Sequence, residues 1–326
     1  MTNHAITAAA CAALGLLIVG PASAACSLSA QPLTVKMDAL RPMLDVKVNG
    51  KVSHFLVDSA TAVNMISSKF ASAAKMEIIR PSGSGPAVAK AQTFEFAGST
   101  LKDAQFLVSD TLPDVEGVIG QTLLHQADVE YDLAMPKPSV KLAKAEGCEG
   151  SNLAYWAKDG DTFWEATLTT PESGAPFNQT EVIVNGVKLR GMLASGKFYT
   201  TITEKAAAKA GLKTSDPGVK PLGSTGKVWI GTFKSVIVGN EETPNAPLEI
   251  DRTNDDFYDV LIGADFLSAH HVYVANSQQK VYFTRAAGFP GAPLPPVFKV
   301  HPAPPRSLGT EDETSGRLTN HYTNQR

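Results

Sequence analysis

Two short stretches carry the residues whose types and spacing could do chemistry. Asp58-Ser59-Ala60 follows the apolar run Phe55-Leu56-Val57, and Ala194-Ser195-Gly196 follows Met192-Leu193, at positions 136 residues apart (194 − 58). The first stretch offers a carboxylate and the second a methyl group in its place. A carboxylate at a loop tip either takes part in acid–base chemistry or caps its own loop by accepting backbone N–H bonds. Other chemistries lack their signatures. Ser195 is not set in a Gly-x-Ser-x-Gly elbow and has no histidine assigned to it by the sequence. Adjacent His270 and His271 face opposite sides of a strand, so no metal set is expected. Gly83-Ser84-Gly85-Pro86 lacks the Lys-Ser/Thr helix start of a phosphate loop and reads as a turn.

The elements that must hold the two tips repeat with them. Val48-Asn49-Gly50 becomes Val184-Asn185-Gly186, Leu56-Val57-Asp58-Ser59-Ala60 becomes Met192-Leu193-Ala194-Ser195-Gly196, and Ile66-Ser67 becomes Ile202-Thr203, with no gap. Each copy reads as an alternating strand, a turn at Asn-Gly, a second strand into the tip and a return strand. Ser67 and Thr203 can cap short helices through Ala74 and Ala210, the second ending at Gly211. A later pair, Gly117-Val118-Ile119-Gly120 and Val260-Leu261-Ile262-Gly263, stands 143 apart (263 − 120) and predicts a buried strand before a helical turn. Val129 and Val272 continue both copies, which end in strands at 139–142 and 280–283. The seven extra residues (143 − 136) fall between the two sets, where residues 93–108 and 227–238 read as candidate flap hairpins.

An aliphatic strand into Asp-Ser/Thr-Gly, a returning Ile-Ser and a later aliphatic-aliphatic-Gly resembles the retropepsin-like aspartic proteases. Its double occurrence over about residues 35–285 resembles the bilobal pepsin-like enzymes. The resemblance implies an all-β fold of two tandem retropepsin-like barrel halves, with one aspartate from each half meeting at a pseudo-two-fold axis. Like charges about 3 Å apart cannot both ionise, so one carboxylate stays protonated while the other takes a proton from the attacking water. Carried across by position, Asp58 is the retained acid, Ser59 and Ser195 are the bracing hydroxyls, and Gly196 keeps the second loop's pattern. Ala60 stands where the family has glycine, putting a Cβ at a crowded spot. Ala194 stands where the second aspartate belongs. The expected function is a pseudoprotease that accepts an extended peptide or unfolded segment. An active endopeptidase drawing its second carboxylate from elsewhere or from a dimer mate is the alternative, with Asp265, Asp128 and Asp132 as weak candidates. A structural or inhibitor-like protein is the third reading.

Composition sets the frame. Apolar residues make up 43% and charged residues 19%, as in globular domains, and a formal charge of −3 without a basic stripe argues against a nucleic-acid partner. No cofactor is expected, and the chain should be a monomer or weak dimer. Residues 1–25, with an apolar stretch at 6–19 and Ala22-Ser23-Ala24-Ala25 behind it, read as a signal peptide, so the product is periplasmic or secreted. Beyond it, 26–147 and 148–285 are the two expected lobes, and 286–326 is a Pro-rich tail read as disordered. With Cys11 removed, Cys26 and Cys148 remain; a disulfide is the favoured reading, with a lipidated Cys26 or two buried thiols as alternatives. Trp156 and Trp164 read as interlobe packing.

Overall fold

The structure is a computed structural model describing residues 26–286, apart from 82, 84, 113, 135, 159, 224, 225 and 254–256. The expected signal peptide and the Pro-rich tail beyond Ala286 lie outside the described residues. The chain begins with β1 (Ser27–Leu33), β2 (Val35–Asp38), β3 (Arg41–Val48), β4 (Lys51–Val57) and β5 (Met65–Ile66). It continues through α1 (Ser68–Ala73), β6 (Glu77–Ile79), β7 (Val88–Phe96), β8 (Ser99–Val108), β9 (Gly117–Ile119), α2 (Gln121–Leu124), β10 (Asp128–Asp132) and β11 (Ser139–Glu146). After β12 (Trp164–Thr167) the pattern recurs as β13 (Gln179–Val184), β14 (Val187–Leu193), β15 (Thr201–Thr203), α3 (Glu204–Lys209) and β16 (Lys220–Leu222). It closes with β17 (Val228–Val238), β18 (Glu241–Asp251), β19 (Val260–Ile262), α4 (Ala264–Ala269), β20 (His270–Ala275) and β21 (Lys280–Arg285).

Each copy closes on itself. The order β3-β4-β9-β5-β8-β7 is completed by the β3–β7 pairing, and β13-β14-β19-β15-β18-β17 by β13–β17, which gives two six-stranded barrels. Period-two burial along β3, in which Leu44, Val46 and Val48 face inward, is what a barrel wall requires. The first barrel is filled by Phe55, Phe94 and Phe106 in edge-to-face and stacked contact, and the second by Ile202, Phe233, Ile250 and Val260.

The repeat is visible in single hydrogen bonds. Asn49 and Asn185 both take positive φ (49° and 50°), followed by Gly50 and Gly186 at 80° and 83°, in the two-residue turns that Asn-Gly favours. Each asparagine amide donates to the end of its copy's helix, at Ala74 O (2.9 Å) and Ala210 O (2.8 Å). Each amide oxygen accepts from the neighbouring strand, at Thr93 N and Ser235 N. The caps hold as well: Ser67 Oγ accepts from Phe70 N and Thr203 Oγ1 from Ala206 N, and Gly211 ends the second helix at φ 84°.

The candidate flaps are corrected by the register. The stretches at 93–108 and 227–238 do form hairpin strands, but Glu95 lies opposite Lys47 and the β7–β8 turn at 97–98 sits against Asp45, Lys47 and Val52, near the start of β4. That is the far end of β4 from Asp58. The other ends of β7 and β17, at Val88 and Val228, pair with Ile79 and Leu222.

A third sheet, ordered β1-β11-β10-β20-β21-β12, joins the copies. β10 pairs with β20 across the pseudo-two-fold axis, Val129 opposite Val274 and Tyr131 opposite Val272. The Cys26–Cys148 disulfide fastens the start of β1 to the segment behind β11. Within this sheet Glu130 is 0 % exposed and accepts hydrogen bonds from Lys141 (2.7 Å) and Tyr155 (2.6 Å) and bonds His271 (2.8 Å). Burial alone would raise its pKa, but these contacts outweigh it and hold the group down to about 2. Among the described residues no helix is long and apolar enough to cross a membrane.

Two predictions follow from this sheet. A carboxylate whose pKa is depressed on folding contributes stability above its unfolded pKa and loses it as pH falls through the folded one, so the Glu130 contribution should disappear between about pH 4.5 and about 2. Denaturant midpoints of Glu130→Gln should therefore depend less on pH across that window than those of the parent. Reducing Cys26–Cys148 should lower stability by about 2–4 kcal/mol in urea titrations with and without dithiothreitol.

Candidate active site

The two tips meet where the barrels face each other. Asp58 N–H donates to Ile119 O (3.0 Å) and Ala194 N–H to Ile262 O (2.9 Å), so each tip hangs from the strand that precedes its copy's second glycine. Gly120 and Gly263 lie against loop backbone: a Cβ would come within 2.5 Å of Thr61 O at the first and of Tyr199 C at the second. Their N–H groups are held by the side chains of Asn64 and Thr200, both at 3.0 Å. This close approach explains why both aliphatic runs end in glycine.

The serines lock the loops reciprocally. Ser59 N–H donates to Ser195 Oγ and Ser195 N–H to Ser59 Oγ, both at 3.1 Å. The Ser59 hydroxyl donates to Leu193 O (2.7 Å) and the Ser195 hydroxyl to Val57 O (2.8 Å). Ser59 and Ser195 are 5 % and 0 % exposed, so these four bonds are made out of water's reach. Gln121 Nε2 supports the arrangement by donating to Ser59 O (2.6 Å). Beneath it lies Tyr131, fully buried against Ser59, Ser195 and Asp58; burial and the Asp58 charge push its phenol upward, so it stays neutral.

Asp58 is held as an acceptor from both sides. Its Oδ1 receives Ala60 N–H (2.9 Å) and, from the other loop, Gly196 N–H (3.2 Å), while Oδ2 receives the Thr61 hydroxyl (2.8 Å). Gly196 has to be glycine because a Cβ there would stand 2.5 Å from Asp58 Cγ. Apart from the matching Ser195, the second loop differs at each of these positions. Ala194 is 1 % exposed and offers no acid. Thr61 corresponds to Lys197, which pairs with Glu249 at 3.7 Å. Ala60 packs with Phe177, Met192 and Tyr258 of the second copy.

That contact explains the departure from glycine at 60. By the pseudo-symmetry, the Ala60 methyl occupies the space that would face a carboxylate at 194, as a methyl at 196 would face Asp58. Ala60 fits because Ala194 is small.

The other carboxylates weighed from sequence are committed elsewhere. Asp265 Oδ1 accepts from Thr200 N–H (2.9 Å), the Thr200 hydroxyl (2.8 Å) and Phe266 N–H (2.8 Å); burial raises its pKa against these bonds. Asp128 accepts from the Tyr273 hydroxyl (3.1 Å) and from Ser277 N–H and Oγ (2.8 Å each) in the shared sheet. Asp132 lines a groove at 271 and 284–286 in that same sheet. Among the described residues no group of three or more His, Cys, Asp or Glu stands together as a metal set. His270 bonds Phe266 O and Glu241, and His271 bonds Glu130, so both histidines have satisfied polar roles.

The structure brings the two tips together and adds Thr61, Gln121 and Tyr131, which the sequence had not singled out. Thr61 was legible, since the 136-residue offset pairs it with Lys197. Gln121 and Tyr131 carried no local signal.

Two closed barrels joined by a shared sheet, with a serine-braced pair of loops at their junction, define the bilobal pepsin-like fold. The crystal structure of the aspartic proteinase from Irpex lacteus is similar, with a TM-score of 0.53 and 11% sequence identity over 81% of this chain and 100% of that one. At that identity the likeness is one of fold. No sequence-family model and no curated protein matches the chain.

The brace yields a direct test. Ser59→Ala removes a donor to Leu193 O and strands the buried Ser195 N–H, so it should cost about 2–3 kcal/mol in urea unfolding. Ser195→Ala should cost a similar amount.

Proposed function

We propose that this chain is an exported pseudoprotease: a bilobal aspartic-protease-like protein that binds an extended peptide between its lobes and does not hydrolyse it efficiently. The observation that carries the reading is the contrast within one intact frame. Both loops keep their brace and their backbone hang points, while Ala194 replaces the acid.

The chemistry explains the loss. Peptide hydrolysis at such a site needs one carboxyl to hold a proton towards the scissile carbonyl and another to accept one from water. Asp58 alone cannot be in both states. Removing one member of a cooperating catalytic unit typically costs several orders of magnitude in rate. The dimer alternative is opposed by occupancy: the chain's own Gly196 N–H lies 3.2 Å from Asp58 Oδ1, where a symmetry mate's acid would have to enter. The three alternative acids are engaged in hydrogen bonds or in the shared sheet, as described above. Peptide capture is supported by the fold, in which two closed barrels meet at the paired loops.

Restoration tests the reading. A carboxylate at 194 needs the Ala60 methyl gone and a hydroxyl in place of Lys197, so Ala194→Asp alone should gain little. Ala194→Asp with Ala60→Gly should gain more, and addition of Lys197→Thr the most, assayed on a denatured protein mixture at acid pH. A transition-state-mimicking peptide inhibitor should bind the parent and block the restored variants. Inhibitor-sensitive cleavage by the parent at the rate of the triple variant would refute the pseudoprotease reading. An inhibitor that fails to bind the parent would refute peptide capture.

A further inference from the structure

The shared sheet carries a groove that the paired loops do not use. It is open, about 840 Å³ in volume, and lined by Trp156, Trp164, His271, Asp132, Arg285 and Ala286 among others. Its two indoles are fixed. Trp156 stacks on His271 at 3.8 Å and its Nε1–H donates to Thr284 Oγ1 (2.8 Å), while Trp164 stacks on Phe283 at 5.8 Å. Exposed Tyr155 (51 %) and Phe163 (38 %) adjoin the indoles in sequence. Four aromatics within residues 155–164 go beyond what packing two lobes requires, because large apolar side chains left in water oppose folding.

The position of the chain selects the occupant. Ala286 lines the groove and is the last described residue before the tail. Residues 287–298, Ala-Gly-Phe-Pro-Gly-Ala-Pro-Leu-Pro-Pro-Val-Phe, hold no charge and four of the tail's seven prolines. Flat aromatic grooves bind polyproline II segments because such a segment is already extended and loses little entropy on docking. Pro290 and Pro296 lie four and ten residues past Ala286, roughly 12–31 Å of polyproline II chain at about 3.1 Å per residue, which is within reach of both indoles. A short tether also holds the segment at an effective concentration on the order of millimolar, ahead of any free peptide.

We infer that this groove is a polyproline-binding site and that its resident ligand is the chain's own segment 287–298. The site is separate from the paired loops, so it stands whether or not they capture peptide.

The test reads the indole N–H resonances of the chain's three tryptophans, Trp156, Trp164 and Trp229, in the ¹⁵N-labelled full mature chain. Pro290→Ser, Pro293→Ser, Pro295→Ser and Pro296→Ser, made together, touch no residue of either barrel. They should shift Trp156 and Trp164 and leave Trp229, on β17, in place. A synthetic peptide of residues 287–306, added to a chain ending at Ala286 whose Trp229 resonance is unchanged, should return the two shifted peaks to their full-length positions. Identical Trp156 and Trp164 resonances in parent and proline variant would overturn the inference. A shift that depends on protein concentration would also overturn it, because the occupant would then be a second copy's tail.

Discussion

The structure hangs on the exchange of hydrogen bonds between Ser59 and Ser195. Each serine gives its hydroxyl to the strand before the other's tip and receives the other's backbone N–H, so neither loop has a satisfied conformation without its counterpart. Four buried bonds in one concerted set fix the distance and orientation of the tips, and the barrels are in turn fixed to the tips through β9 and β19. Position 194 can be alanine without loosening this frame because its side chain is not part of the brace. The second loop therefore keeps the same braced shape with a methyl group at its tip.

The changes around the second tip form one set. Asp58 is served by three donors, the N–H groups of Ala60 and Gly196 and the hydroxyl of Thr61. At the second tip the matching positions are Ala194 for Asp58 and Lys197 for Thr61, and Ala60 matches Gly196. Ala60 instead joins Phe177, Met192 and Tyr258 in an apolar cluster. Lys197 has turned to Glu249, whose pKa is raised by burial and by the neighbouring charges of Asp265 and Asp251, with Lys197 opposing. With no carboxylate at 194, Ala60 serves packing and Lys197 an ion pair.

Much of this was legible in the chain because the repeat imposes a ruler. A constant offset through Asn49, Asp58 and Ile66 announced equal hairpins, and the equal hairpins brought positions 58 and 194 to the same structural place. The glycines at 120 and 263 were visible for the same reason, although only the contact with loop backbone shows why glycine is needed. What escaped was set by barrel closure. Tyr131 reaches the loops from β10, and the turn at 97–98 falls at the wrong end for a flap because β7 crosses to β3. Neither follows from local periodicity, since closure decides which residues of distant strands become neighbours. The tryptophans at 156 and 164 read as packing and do stack on the shared sheet, but they also line a groove that no spacing rule could reveal.

The shared sheet also constrains the order of assembly. The first copy can close its barrel and pair β10 with β11, but the other edge of β10 has no partner until residues 271–274 have been delivered. Glu130 sits on that edge, and one of its hydrogen-bond partners, His271, comes from the later copy 141 positions downstream. A half-emerged chain would therefore present an unpaired strand carrying an undersatisfied carboxylate. Such an edge stays open to other strands until β20 completes it.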